Sequence, residues 1–253
     1  MPRATNGLST GEAVITLLNG SVGVGVLGLP YAFARAGWAA LLIICFCAAA
    51  TYYTANVIVR TLAHASAAAG KGGRRAGRAQ SELNYDYLGE LAFGRIGRAA
   101  AAAVQLGELL IAAVAVLLLL AANLTELSAG AVSTENAVYV GGAAAFALSV
   151  SRPALLAKFS LLSLAVVVAQ VAVLVAMGAS SPADAARAAA ETRALTDANG
   201  AMEAFGSIMF CFGGHSMLPA TFATMADTRE APAMLTRVFT FMVVIYCAIG
   251  GTG

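Results

Sequence analysis

Apolar residues in this chain form long continuous runs that are separated by short polar stretches. A helix that crosses the hydrocarbon core of a bilayer needs about 20 such residues. The runs therefore predict transmembrane helices near residues 12–33, 39–62, 99–122, 137–151, 158–179, 201–222 and 236–253. The fourth run is short and contains glycine, and the seventh reaches the end of the chain. This pattern predicts an all-α integral membrane protein with about six or seven spans.

Composition argues against an ordinary soluble domain. The chain is 60% hydrophobic and only 11% charged, whereas a soluble domain carries about 25% charged residues. We therefore expect most of its surface to contact a lipid bilayer. The lysines and arginines are spread over short loops and form no single basic patch, so we expect no nucleic-acid partner. The sequence identifies no protein partner.

Loop charges predict the orientation of the chain in the membrane. When the N-terminus is placed in the cytoplasm, only Arg35, Arg187 and Arg193 fall on the far side, and every other lysine and arginine falls on the cytoplasmic side. This is the bias described by the positive-inside rule. The bias disappears if the weak fourth span is omitted, so we retain that span.

Two further local patterns concern the ends of helices. Residues 81–94 place apolar side chains on one helical face and end in Gly94, which predicts a short interfacial helix capped by that glycine. Glu12 and Glu203 lie at the starts of predicted spans. The helix dipole favours a negative charge at such a position, so we expect both to be ordinary N-terminal charges.

The first and sixth spans contain helix-breaking residues in their interiors. NGSVGVGVLGLPY (19–31) holds glycines and a proline, and FGSIMFCFGGHSMLP (205–219) holds adjacent glycines, a histidine and a proline. Irregular backbone persists in hydrocarbon only where protein or a water-filled cavity surrounds it. One interpretation is a break in each helix, and the other is that small residues allow close helix packing. Interrupted helices in corresponding positions of two halves indicate a transporter binding site.

Four segments of the chain resemble the amino acid/auxin permeases, which belong to the larger group of transporters with the LeuT-like inverted-repeat fold. They are LLNGSVGVGVLGLPYAFARAGW (17–38), YDYLGELAFGRIGR (85–98), FGSIMFCFGGHSMLPATFATM (205–225) and MLTRVFTFMVVIYCAIGGTG (234–253). They follow the family's order. The resemblance implies an inverted repeat in which helices 1 and 6 are broken. Family members continue through further spans, so we expect this chain to be the truncated, N-terminal part of such a transporter.

The resemblance also implies a substrate site. The carboxylate of an amino acid would meet backbone N–H groups where the first helix breaks, because a half-helix N-terminus carries positive partial charge. On this chain the donors would be Gly23, Val24 and Gly25, and the Ser21 carbonyl would face the ammonium group. The sixth helix would contribute pocket-lining residues, namely Phe210, Phe212, Gly213 and Gly214. Ordinary lipid or core contact is the alternative for the two phenylalanines.

Several polar residues are candidates for ion coupling, and no other cofactor is expected. Asn19 matches a family position linked with cation binding, so that its side chain and the Val22 carbonyl would hold Na⁺; the alternative is a helix–helix hydrogen bond. The unperturbed pKa of a histidine side chain lies near physiological pH, so His215 would carry a coupling proton, or else stay neutral and bond to freed carbonyls. Glu108 is an intramembrane carboxylate and so a functional candidate, unless it makes a structural hydrogen bond.

The expected function is secondary active transport of neutral or small amino acids by alternating access, coupled to H⁺ or Na⁺. Two alternatives remain, namely a transporter-like amino-acid sensor and a truncated fragment that inserts without transporting. We expect no enzymatic activity, because the sequence has no P-loop, no G-x-S-x-G and no metal-spaced His/Cys cluster. The plasma membrane and a vacuolar or lysosomal membrane are both compatible with the resemblance.

Overall fold

The computed structural model describes residues 7–22, 24–70, 84–150, 162–163, 165–166, 168–173, 176 and 198–252. Within these ranges the chain is helical, apart from turns and one isolated β-bridge between Leu8 and Met225. The α-helices are α1 (Thr10–Ser21), α2 (Leu29–Ala36), α3 (Ala39–Gly70), α4 (Tyr85–Leu127), α5 (Thr134–Ser149), α6 (Ala198–Cys211), α7 (Leu218–Thr224) and α8 (Ala231–Thr252). Short 3₁₀ helices cover Val24–Gly28, Gly214–Met217 and Thr228–Glu230. This is the expected all-α class.

Three stretches of the described chain are long and apolar enough to cross a membrane, namely Ala39–Ala67, Tyr85–Leu127 and Thr228–Gly250. The helices α1, α2, α6 and α7 are each shorter than the ~20 residues that a span needs. However, α1 and α2 follow each other along the predicted span 12–33, and α6 and α7 do so along 201–222. Two of the predicted spans are thus built from two half-helices each.

The chain divides into two compact units. The first unit comprises Met1–Leu88 and Ser163–Gly253, and it contains both pairs of half-helices together with α3 and α8. In this unit α2 packs on α6, while α8 packs on α1, α2 and α3. Its largest fully buried side chains come from several of these helices and include Leu17, Ile44, Phe212, Phe222 and Tyr246.

The second unit, Gly89–Leu162, contains most of α4 and all of α5. Within α4 the backbone leaves helical geometry at Phe93 (φ −136°, ψ 17°) and Gly94 (φ +64°, ψ −150°). A positive φ favours glycine, which has no Cβ. The prediction that a short helix ends at Gly94 is therefore confirmed, while its interfacial location stays a prediction.

Local capping chemistry explains where α1 begins. Ser9 accepts a hydrogen bond from the backbone N–H of Glu12, and the Glu12 carboxylate accepts one from the Ser9 backbone N–H at 2.8 Å. These reciprocal bonds form a capping box, which satisfies backbone donors that a helix start leaves without partners. Glu12 therefore lies in the first turn, as expected.

Candidate functional site

The first break interrupts the chain between α1 and α2. Helix α1 ends at Ser21, and Val22 follows with non-helical dihedrals (φ −84°, ψ 67°). Gly23 lies outside the described residues; after it the chain forms the 3₁₀ helix Val24–Gly28, and α2 then begins with Pro30 in its first turn. Residues 19–28 are therefore not one continuous α-helix.

The second break repeats this order between α6 and α7. Helix α6 ends at Cys211, the 3₁₀ helix Gly214–Met217 follows, and α7 begins with Pro219 in its first turn. Proline lacks an N–H and so cannot donate to the carbonyl four residues earlier. Pro30 and Pro219 each lie just after a 3₁₀ helix. Neither can donate the backbone hydrogen bond that would extend the following α-helix towards the N-terminus.

The two breaks pack directly against each other. A Cβ atom added at Gly25 would lie 2.9 Å from the Cys211 Sγ atom and 3.3 Å from the Cys211 Cα atom. A Cβ atom added at Gly214 would overlap the Ser21 Oγ atom. At each break, a glycine lies against the last residue of a half-helix from the other segment. Gly25 meets Cys211 at the end of α6, and Gly214 meets Ser21 at the end of α1. Of the predicted site residues, this crossed packing places Ser21 against Gly214, while Gly25 lies against Cys211.

A tyrosine of α8, which sequence reasoning missed, connects the ends of both half-helices. The hydroxyl of Tyr246 lies 2.7 Å from the Cys211 carbonyl oxygen and 3.4 Å from the Ser21 carbonyl oxygen. The last carbonyls of a helix have no intrahelical partner. Tyr246 therefore supplies a donor at the point where α1 and α6 both end.

A small cavity lies beside this junction. Its volume is about 20 Å³, and among the predicted site residues Ser21, Phe212, Gly214 and His215 line it. The remaining walls are apolar side chains of α1, α7 and α8, namely Leu17, Leu218, Leu235, Val238, Phe239 and Met242. This volume holds about one water molecule. An amino acid would fit only after these walls separate.

His215 connects the second break to α3. Its Nε2 atom lies 2.8 Å from the Thr54 hydroxyl oxygen and 3.1 Å from the Thr51 carbonyl oxygen. A carbonyl only accepts, so the network assigns a hydrogen to Nε2. A neutral histidine satisfies this geometry, although the carbonyl it meets belongs to α3 rather than to a break. A proton taken up by that neutral tautomer would bind at Nδ1.

The other predicted site residues have varied surroundings. The Asn19 Oδ1 atom is buried in the last turns of α1, and the Val22 side chain is buried beside the break. Gly213 is exposed, and Phe210 has 55% of its surface exposed. The side chain of Val24 lies outside the described set, and Glu108 is exposed on α4, in the second unit. Ligand and ion roles for all of them stay predictions.

A polar cluster links α2 to α6 at one end of the broken pair. Glu203 accepts hydrogen bonds from the Arg35 guanidinium at 2.8 Å and from the Tyr31 hydroxyl at 2.9 Å. The expectation that Glu203 is an N-terminal helix charge is wrong, because α6 begins at Ala198 and its first turn carries no acidic residue. Its carboxylate instead joins α6, the first half of the second broken segment, to α2, the second half of the first one.

A second link joins α1 to α7 at the opposite end of the same segments. The Leu8 backbone N–H donates to the Thr224 carbonyl at 2.8 Å, and the Ala226 N–H donates to the Leu8 carbonyl at 2.9 Å. The Thr10 hydroxyl also donates to the Glu230 carboxylate. Hydrogen bonds therefore connect the two broken segments to each other at both ends.

Comparison with known proteins gives a consistent picture. Residues 6–253 match the family model described as transmembrane amino acid transporter protein. The chain is 26% identical over 253 residues to amino acid transporter AVT1C of Arabidopsis thaliana, covering 97% of this chain and 43% of the relative. It is 27% identical over 241 residues to amino acid transporter AVT1I of the same plant, covering 93% and 55%. The chain thus spans about half the length of these curated relatives. No solved structure matches it significantly.

Proposed function

Because the chain belongs to the transmembrane amino acid transporter family, whose members are transporters and not enzymes, we propose that it supplies the substrate-holding part of an amino acid carrier. The observation that carries this proposal is the crossed packing of two interrupted helices around Gly25 and Gly214. Backbone groups released from helical bonding can bind the two charged ends of an amino acid without any charged side chain.

The amino acid binds with its carboxylate on the N–H groups of Gly23, Val24 and Gly25. Positive partial charge at the start of a helical turn favours an anion there. Its ammonium group binds the Ser21 carbonyl, at the negative end of α1. A larger residue at Gly25 would displace Cys211, because Cys211 occupies the space that its side chain would need.

The substrate class is neutral amino acids with small side chains. Among the described residues that line the cavity, none is an aspartate, glutamate, lysine or arginine, and most are aliphatic or aromatic. A charged substrate side chain would lose its hydration here without gaining a partner.

Transport proceeds by alternating access around the two breaks. The Arg35–Glu203 pair closes one end of the segments, and the Leu8–Met225 bridge closes the other. These links at both ends, and a cavity with room for about one water molecule, support the proposal of an occluded state in this cycle. Breaking one of these two links at a time would open the cavity to one side of the membrane. The N-terminus lies on the cytoplasmic side in this proposal.

The coupling ion is H⁺ or Na⁺. His215 is the proton candidate, because it lines the cavity and, in the tautomer that donates from Nε2 to the Thr51 carbonyl, its Nδ1 can take up a proton. Asn19 and the Val22 carbonyl are the sodium candidates, because a buried amide oxygen beside a helix end suits a hard cation. Glu108 remains a further candidate by its place in an apolar helix. The membrane is the plasma membrane or a vacuolar or lysosomal membrane.

The proposal is tested by uptake into proteoliposomes that contain the complete protein in which these residues occur. Radiolabelled neutral, acidic and basic amino acids are offered under an imposed pH gradient and, separately, an imposed sodium gradient. We expect concentrative uptake of small neutral amino acids under one of the two gradients. With proton coupling, His215→Ala should change the pH dependence of uptake, while Asn19→Ala should not. Saturable binding without uptake under either gradient would contradict transport and favour a sensor.

A further inference from the structure

Tyr246 is held rigidly at the junction of the two breaks although it belongs to an unbroken helix. Its side chain is fully buried. Its ring packs edge-on against Phe212, with centroids 5.2 Å apart and planes at 77°. Phe212 in turn stacks on Phe239 of α8, at 6.3 Å and 11°. These contacts fix the position of the Tyr246 hydroxyl relative to the ends of α1 and α6.

The single proton of this hydroxyl serves the two carbonyls unequally. The 2.7 Å distance to the Cys211 carbonyl is that of a strong O–H···O bond, whereas the 3.4 Å distance to the Ser21 carbonyl lies beyond the usual range. The Cys211 carbonyl, at the end of α6, needs a donor because Cys211 is buried and the carbonyl has no intrahelical partner there. The Ser21 carbonyl keeps its capacity to accept from another donor.

We propose that Tyr246 is a positioning residue for the transport site, which binds the Cys211 carbonyl and so leaves the Ser21 carbonyl aligned and open to the substrate's ammonium group. This inference rests on the proposed function, because it places that ammonium group at Ser21. Without the hydroxyl, the Cys211 carbonyl would become a competing acceptor beside the Ser21 carbonyl.

The chain offers a matched pair of variants for the test. Tyr246→Phe removes only the hydroxyl at the junction. Tyr52→Phe removes a hydroxyl that bonds to the Thr236 side chain at 3.0 Å, and the Tyr52 ring packs on Phe239, at 5.4 Å. Tyr52→Phe therefore deletes a tyrosine hydroxyl bond between α3 and α8 that involves neither the Ser21 nor the Cys211 carbonyl. Concentration-dependent uptake gives KM and maximal velocity for the complete wild-type protein and both variants.

We expect Tyr246→Phe to raise KM about fivefold, the usual effect of losing one buried hydrogen bond, with maximal velocity little changed. Tyr52→Phe should leave KM at the wild-type value. Competition by the deaminated analogue of the substrate, a carboxylic acid without the ammonium group, supplies a second readout. Its inhibition constant should be the same in wild type and Tyr246→Phe, because the proposed role concerns the ammonium alone.

An unchanged KM in Tyr246→Phe, or an equal weakening of the amino acid and of its deaminated analogue, would overturn the proposal. If Tyr246→Phe does not accumulate in the membrane, 3-fluorotyrosine at position 246 keeps the packing and strengthens the O–H donor. It should lower KM for the amino acid only, and an unchanged KM would again overturn the proposal. Absence of uptake by the wild type would instead count against the proposed transport function.

Discussion

Gly25 and Gly214, at the two breaks, differ from two glycines in the continuous helices, Gly107 and Gly206. Gly25 and Gly214 meet the end of the opposite segment so closely that an added Cβ would collide with Cys211 or Ser21. Gly107 in α4 and Gly206 in α6 also lie in apolar sequence, yet both are helical and nothing lies within 4 Å of an added Cβ. Glycine content alone therefore does not interrupt a helix. The interruption occurs where glycine allows close packing and a proline follows within a few residues.

The largest expected effect comes from filling the space at a break. Gly25→Leu places a branched side chain against Cys211, which is fully buried, so the two breaks should be forced apart. We expect uptake to be abolished while the protein still inserts into the membrane. Gly206→Leu, in the continuous part of α6, is the control and should keep wild-type uptake. Normal uptake by Gly25→Leu would remove the site at the breaks.

An intermediate effect is expected from the prolines. Pro219→Ala restores an N–H that can donate to the His215 carbonyl, so α7 can extend backwards and shorten the break. We expect initial uptake rates to fall about tenfold, the size of effect that a small displacement of a binding group produces. Pro232→Ala is the control, because Pro232 likewise follows a 3₁₀ turn in the first turn of α8 but does not lie between two half-helices of one broken segment. Equal rates for both variants would show that the proline does not maintain the break.

Sequence reasoning located the breaks but not the groups that satisfy them. The glycines and prolines of 19–31 and 205–219 are local signals, as is Gly94 at the end of the short helix. Tyr246 carries no such signal, since it is one aromatic residue in an apolar run, and only the fold places it beside Ser21 and Cys211. A local rule for helix starts likewise misassigned Glu203, because its partner Arg35 is 168 residues away in the chain.

The smallest effect is expected from weakening the Arg35–Glu203 salt bridge between α2 and α6. Glu203→Gln weakens the pair with Arg35, in which both side chains are partly exposed, with relative exposures of 46% and 36%. Such pairs contribute little, so we expect the maximal uptake velocity to change by no more than about twofold. The control is Glu90→Gln, which weakens a comparable pair with Arg98 inside the second unit. Complete loss of uptake in Glu203→Gln, but not in Glu90→Gln, would contradict this prediction and show that transport requires the pair.

The central claim is that backbone groups at the two breaks bind the amino acid, and hydrogen–deuterium exchange of those amides tests it most directly. The measurement compares residues 22–28 and 212–217 in the complete protein, with and without a saturating neutral amino acid that it transports. We predict fast exchange at both breaks relative to α3, and protection of residues 22–28 when the amino acid is added. Slow exchange at both breaks, equal to that of α3 and unaffected by the amino acid, would contradict the account.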